Sequence, residues 1–195
     1  MKKTALLVGF NMIITIPLAT YHDSKKENLY FRFDMESFPG YAELIAHITF
    51  MMLCEDFTFY WVHRIFHHKS IYPYIHKIHH EHNNTVAISA EYAHPIEYLL
   101  SNLAPNIVGC AILGKRGHAI TFYMYLMIRI FETIDGHCGY EFSWSPYRLL
   151  PFSASSTAHN YHHSNNIGNY GSFFTFWDTI CSTNKSYYRY LNKLQ

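Results

Sequence analysis

The chain has 195 residues, a length that fits one domain. Hydrophobic residues make up 49% and charged residues only 15%; this charged fraction is low for a soluble domain, so a membrane protein is the class to test. The formal net charge of +1, with neutral histidine, gives no general basic surface, so we expect no nucleic-acid partner. The four cysteines are scattered and form no CxxC pair, so we predict reduced thiols and not a disulfide framework.

Four apolar segments follow one another along the chain and predict membrane-associated helices. They lie near residues 4–20, 41–62, 98–113 and 119–134. The first is close to the lower length limit for crossing a membrane, and a cleaved secretory signal peptide is the alternative interpretation. The last two are joined by a Gly-Lys-Arg-Gly turn, and they either both span the membrane or form a re-entrant hairpin. Two such passes return the chain to the side that it left.

Histidines give the sharpest signal in the sequence. The spacing H-x-x-H-H occurs at residues 76–80 and again at 159–163, and H-x-x-x-H occurs at 63–67. Because residues four apart share one face of a helix, each pattern places two imidazole rings side by side. Neutral imidazole is a common ligand of Zn, Fe, Cu and Ni. The candidate metal ligands are His63, His67, His76, His79, His80, His137, His159, His162 and His163.

Nine candidate ligands are too many for one tetrahedral zinc ion, which takes four. The number fits two metal ions with open positions for oxygen, and two iron ions are the first choice. Asp56 lies seven residues before His63, two turns back on the same helix face, so it can accept a hydrogen bond from a ligand ring. A carboxylate at a helix end in the membrane interface is the alternative for Asp56. His94 lies outside the spaced patterns and is a further candidate ligand.

Several short segments together resemble a known family. They are Glu55-Asp56, His63-Arg-x-x-His67-His68-Lys, Tyr74-Ile-His76-Lys-x-His79-His80-Glu81, Glu91-Tyr-Ala-His94-Pro-x-Glu97, Glu132-Thr-Ile-Asp135-x-His137-x-Gly139-Tyr140 and Ile167-Gly-Asn-Tyr170. The set resembles the fatty acid hydroxylase and sterol desaturase superfamily of membrane di-iron enzymes. Within that superfamily, it is most similar to the 4-methylsterol monooxygenases. The similarity extends over most of the chain.

The resemblance implies an all-α integral membrane helical bundle with a cytosolic, histidine-rich di-metal cap, formed by residues 1–195 as one domain. It implies an endoplasmic reticulum enzyme that oxidises the C-4 methyl group of sterol intermediates. The implied cofactors are two iron ions, with electrons from NAD(P)H through cytochrome b5, and the implied partners are a sterol or other lipid substrate, O2, a cytochrome b5-type electron donor and the membrane. No catalytic residue is expected beyond the metal ligands. Residues expected beside them, as hydrogen-bond partners or extra ligands, are Asp56, His94, Glu132, Asp135 and Asn160.

Three other functions fit parts of the pattern. A sterol or fatty-acyl hydroxylase or desaturase of the same superfamily has the same metal motifs. A membrane protein that keeps the metal sites as structure, without catalysis, predicts bound metal and no oxygen consumption. A zinc hydrolase is disfavoured, because the sequence has no HExxH motif and no evident general base beside a three-histidine site.

Overall fold

The computed structural model describes residues 1–24 and 31–194. Within these residues the chain is helical, without a β-strand and with two isolated β-bridges, Arg32 to His118 and Ser153 to Phe174. The predicted helical class is therefore confirmed for this part of the chain. The α-helices are α1 Lys2–Ser24, α2 Tyr41–Phe66, α3 Pro95–Glu97, α4 Ala104–Leu113, α5 Ala119–His137, α6 Ser156–Asn165, α7 Phe176–Ile180 and α8 Lys185–Leu194. Short 3-10 helices span His76–Glu81, Ala87–Glu91, Gly114–Arg116 and Pro146–Leu149, and a π-helix spans Tyr98–Leu103.

All four predicted apolar segments are helical. The first lies in α1, the second in α2, the third in the π-helix and α4, and the fourth in α5. Among the described residues, one continuous helical run is long and apolar enough to cross a membrane, and it spans Pro95–Arg116. This run contains α3, the π-helix, α4 and the short 3-10 turn that follows.

Helix α2 is the central element of the packing. It makes its most extensive contacts with α4 and further contacts with α5. The buried core between these helices is formed by Met51, Met52, Cys110, Tyr125 and Phe173. The close approach of α2 and α4 occurs where α4 has a glycine, Gly109, whose missing side chain leaves room for the backbone of α2.

Substituting Gly109 tests this helix contact. A Cβ atom at Gly109 would lie 2.9 Å from Met51 Cα, closer than side-chain carbons normally approach backbone. We expect Gly109→Ala to lower the free energy of unfolding by about 1–3 kcal/mol, because overpacking forces α2 and α4 apart. Thermal unfolding in detergent measures the loss. Gly40→Ala is the matched control, since a Cβ atom there meets open space, and equal stability of the two variants would contradict the packing described.

The histidines meet where several helix ends come together. Helix α2 runs towards this region and ends in it, the run Pro95–Arg116 begins in it, and α5 returns to it. The end of α2, the start of the run Pro95–Arg116 and the end of α5 therefore lie together. Helix α6 and the segment 76–82 complete the region.

Candidate metal centre

The structure brings all nine predicted ligands together in two groups. Within each group, one nitrogen atom of every ring lies within 4.8 Å of the corresponding atoms of the others. The five-histidine group contains His63, His67, His76, His80 and His162. The four-histidine group contains His79, His137, His159 and His163. The two groups adjoin, since the ring centroids of His80 and His163 are 4.6 Å apart.

Each H-x-x-H-H triplet contributes to both groups. In the first triplet, His76 and His80 join the five-histidine group while His79 turns to the other group. The second triplet does the reverse: the pair four residues apart joins the four-histidine group, and His162 joins the five-histidine group. The two H-x-x-H-H triplets lie in different kinds of helix, since His76–Glu81 is a 3-10 helix and α6 is an α-helix. In both, the spacing directs rings into the two histidine groups.

The Nε2 atoms of neighbouring rings point at one another. In the five-histidine group, four Nε2 to Nε2 distances are 3.0–3.2 Å, and they link His63, His67, His76, His80 and His162. In the four-histidine group, His159 Nε2 lies 2.8 Å from His137 Nε2 and 3.1 Å from His163 Nε2. Two such atoms can form a hydrogen bond with each other only if one of them carries a proton.

The other ring nitrogen, Nδ1, is already a hydrogen-bond donor in seven of the nine rings. Six rings donate to backbone carbonyl oxygens: His63 to Tyr170, His79 to Tyr92, His80 to His163, His137 to Thr133, His162 to Gly168, and His163 to His82. The seventh ring, His76, donates to the carboxylate of Glu97 at 2.5 Å. Because a carbonyl oxygen can only accept, each of the six rings must carry its proton on Nδ1.

The rings are neutral at physiological pH. Burial lowers the pKa of His79 to about 4 and of His137 to about 3, and neighbouring histidines lower the pKa of His137 further. The pKa values of the remaining seven rings are also lowered by burial. A neutral ring has one proton, and Nδ1 holds it in the seven rings whose Nδ1 donates a hydrogen bond, so the Nε2 atoms of those rings present lone pairs. Lone pairs converging in a buried site are stabilised by a cation between them.

The distances between Nε2 atoms fit a metal ion within each histidine group. A metal that binds imidazole nitrogen at about 2.0–2.1 Å separates neighbouring nitrogens of an octahedral shell by about 2.9 Å. The Nε2 separations of 2.8–3.2 Å bracket this value. Each Nδ1 contact also fixes the ring orientation and the proton position that a metal ligand requires. The residues present therefore fit two metal ions with all-nitrogen donor sets.

A buried carboxylate, Asp178, holds the loop that orients two of the rings. It accepts hydrogen bonds from Tyr170 N at 2.9 Å, Gly171 N at 2.8 Å and Thr183 Oγ1 at 2.6 Å. The same loop supplies the carbonyl groups that receive the Nδ1 protons of His63 and His162. Asp178 therefore acts on these rings through the backbone.

Removing this carboxylate should loosen the loop. We expect Asp178→Ala to lower the free energy of unfolding by about 3 kcal/mol, because two backbone donors and a hydroxyl lose a charged acceptor. We also expect a lower metal content, with Asp178→Asn intermediate. Thermal unfolding and metal analysis measure both effects. The control is Asp34→Asn at an exposed turn, and full metal content in Asp178→Ala would contradict the role assigned to the loop.

A cavity of about 50 Å³ borders both histidine groups. Its wall includes His63 and His76 from one group and His79 from the other. One water molecule needs about 10–15 Å³, so O2 or a few waters fit inside. Arg129 also lines this cavity, and its guanidinium donates to Glu55 Oε1 at 2.9 Å and to Glu132 Oε2 at 2.8 Å. This buried ion-pair network fixes the side of the cavity that the helices form.

The five other predicted site residues have partners outside the two groups. Asp56 accepts a hydrogen bond from Phe174 N, which differs from the predicted contact with a ligand ring. The reason is that the loop 170–174 lies over this face of α2 and supplies both the amide for Asp56 and the carbonyl for His63. The other four residues have these partners: His94 Nδ1 accepts from Ile96 N at the start of α3, Glu132 pairs with Arg129, Asp135 pairs with Arg148, and Asn160 accepts from Thr85.

Glu97 is a site residue that the sequence interpretation missed. It is 3% exposed and is the carboxylate that receives the Nδ1 proton of His76. The signal for it was present, since Glu97 belongs to one of the segments that carry the family resemblance. It was missed because it lies twenty-one residues from its partner, and only the folded chain brings it to the ring.

Comparison with known proteins identifies the family. The sequence model of the fatty acid hydroxylase family matches residues 48–183, a range that includes all nine histidines. The chain belongs to the fatty acid hydroxylase family. No solved structure matches the chain.

This fatty acid hydroxylase family member is similar to proteins named methylsterol monooxygenase and to proteins named very-long-chain aldehyde decarbonylase. It is 41% identical over 207 residues to methylsterol monooxygenase 2-1 from Arabidopsis thaliana, covering 95% of this chain and 72% of that protein. It is 36% identical to methylsterol monooxygenase 1 from Gallus gallus, covering 98% of this chain and 63% of the relative. Very-long-chain aldehyde decarbonylase GL1-11 from Oryza sativa subsp. indica is 38% identical, over 76% of this chain and 56% of its own length. The family and the monooxygenase relatives confirm the resemblance and the predicted class of oxidoreductase.

Proposed function

We propose that this chain oxidises the C-4 methyl group of sterol intermediates with O2, at two iron ions held by the nine histidines. The observation that carries the proposal is the convergence of buried imidazole lone pairs on two adjoining points. The named methylsterol monooxygenase relatives support the sterol as substrate. The reaction proceeds stepwise from methyl to alcohol, aldehyde and carboxylate.

Iron in the two groups would supply the activation of O2, with electrons from NAD(P)H through a cytochrome b5-type donor. The donor chemistry supports this assignment, because imidazole suits iron and neither five nor four nitrogens fill an octahedral shell. The protein then has to orient the rings, admit the reacting end of the substrate and exclude bulk water.

Residues of this chain serve each of these needs. The carboxylate of Glu97 holds His76 in the tautomer that exposes Nε2, as the backbone carbonyls do for six other rings. Arg129, fixed by Glu55 and Glu132, keeps the cavity wall in place. Most groups that line the cavity are buried, which keeps bulk water from the reacting atoms.

We propose an endoplasmic reticulum membrane location, with residues 1–195 forming one membrane-embedded domain and the metal centre on the cytosolic side. The candidate span Pro95–Arg116 supports membrane insertion. Large apolar side chains are also exposed along α2, α4 and α5, an arrangement that is costly in water and favourable in lipid. They include Leu53, Phe57, Ile107, Ile112, Met127, Ile130 and Phe131.

A second candidate function is the conversion of a fatty aldehyde, or another oxidation of a fatty-acyl or sterol substrate. The relative named very-long-chain aldehyde decarbonylase supports it. The metal groups alone do not separate these reactions, because the same all-histidine donor set serves each of them. A lipid product profile separates them directly.

The test is expression of the full chain in cells that lack their own 4-methylsterol oxidase, followed by a sterol and aldehyde profile. We expect 4-methylsterols to disappear and fatty aldehydes to remain unchanged. Persistence of 4-methylsterols, with the iron-loaded protein present in the membrane, would contradict the proposed substrate. The double variant His79→Ala and His162→Ala controls for effects of expression alone.

A further inference from the structure

We propose that Ser101 and Glu97 form a subsite for a substrate hydroxyl group, carried on the ring carbon next to the one that bears the oxidised methyl group. This inference rests on the proposed function and deepens it. Both residues line the cavity that borders the histidine groups.

Both residues carry a buried polar atom without a partner. Ser101 is 4% exposed and Glu97 is 3% exposed. Within the described part of the chain, Ser101 Oγ and Glu97 Oε2 have no hydrogen-bond partner. Buried polar groups are nearly always paired, so two unpaired atoms on one cavity wall indicate a place that a ligand group or water fills.

The local backbone brings these two side chains to the same wall. Glu97 ends α3, and Ser101 lies in the π-helix Tyr98–Leu103 that follows directly. Such π-helical turns are rare and are frequent at functional sites. Both residues lie in the first part of the candidate span, next to the five-histidine group through the contact of Glu97 with His76.

The chemistry of the pair selects an alcohol. A serine hydroxyl can donate a hydrogen bond, whereas a carboxylate oxygen can only accept one. A substrate hydroxyl satisfies both, since it accepts from Ser101 and donates to Glu97 Oε2. A ketone cannot donate to Glu97 Oε2, and an apolar group satisfies neither residue.

A sterol carries such a hydroxyl on C-3, the carbon bonded to C-4. Since Glu97 Oε1 accepts from His76, a hydroxyl held at Glu97 Oε2 lies beside the five-histidine group. The methyl group on the next carbon then lies within the cavity that both groups border. The cavity of about 50 Å³ can take only the end of a sterol that carries these two ring carbons, so the rest of the ring system would have to lie outside it.

The test is equilibrium binding of a 4,4-dimethylsterol and of its 3-deoxy analogue to the iron-loaded full chain in detergent. We expect the wild type to prefer the hydroxylated sterol by about 10-fold, the effect of losing one or two hydrogen bonds. In Ser101→Ala the preference should fall to about 3-fold or less. Ser145→Ala is the matched control, because Ser145 Oγ is also buried and unpartnered but does not line this cavity.

Equal binding of the two sterols by the wild type, or binding of neither, would overturn the subsite. An unchanged preference in Ser101→Ala would overturn it as well, and would leave water as the partner of these atoms. The outcome is separable from that of the proposed function. If the chain prefers the hydroxylated sterol but does not oxidise 4-methylsterols, the subsite is supported and the proposed reaction is contradicted. If it oxidises both sterols equally, the reaction is supported and the subsite is contradicted.

Discussion

Replacing His162 with alanine is expected to abolish oxidation and to remove one of two metal ions. His162 is fully buried, and its Nε2 atom lies 3.1–3.2 Å from the Nε2 atoms of His63 and His67. Its loss leaves a gap at the centre of the five-histidine group. Activity should fall by more than about 100-fold, since even residues behind a ligand cost about 10–100-fold. Metal analysis and a product assay measure the two effects.

His159→Ala makes the reciprocal test on the four-histidine group. His159 Nε2 lies between the Nε2 atoms of His137 and His163, so this variant should also lose one metal ion and all activity. His68→Ala is the control, because His68 is exposed and belongs to neither group. Two variants that each keep both metal ions would show that the groups are not the binding sites.

Replacing Glu97 with alanine is expected to weaken metal binding and activity about 10–100-fold. Glu97 Oε1 accepts a hydrogen bond from His76 Nδ1 at 2.5 Å, and both side chains are buried. Without it, the ring loses its orientation and a buried N–H loses its acceptor, which costs about 1–3 kcal/mol. Metal affinity and turnover of the purified variant measure the loss.

Glu97→Gln separates the acceptor from the charge. The amide oxygen can still receive the His76 proton, so we expect a smaller loss than in Glu97→Ala. Glu91→Gln, in the same segment but bonded to Asn102, is the control for loss of a negative charge. If Glu97→Ala binds metal as tightly as wild type, Glu97 is not a positioning group for His76.

Eight of the nine histidines were predicted from their spacing, which is a local property of helices, whereas His137 lies outside the spaced patterns. His63 and His67, or His159 and His163, are four residues apart, and that separation alone brings two rings to one face. The spacing could not predict which ring joins which group. His79 and His162 join the group opposite to that of their triplet neighbours, and this depends on how α6 packs against the segment 76–82.

The hydrogen-bond partners of the histidine Nδ1 atoms were harder to predict. Six of the Nδ1 acceptors are backbone carbonyls, which every residue has, so sequence carries no signal for them. Asp56 shares a helix face with His63, yet the loop 170–174 lies there and gives each of them a backbone partner. The four apolar segments could be predicted as helices because a hydrophobic run of that length is visible in neighbouring residues of the sequence, without knowledge of the fold.

The most direct test is the iron content of the purified, active wild-type chain, measured by mass spectrometry of the metal against protein concentration. Two groups of five and four histidines predict two iron ions per chain. An active preparation that holds two supports a di-iron centre built from both groups. An active preparation that holds one iron ion or none would contradict it.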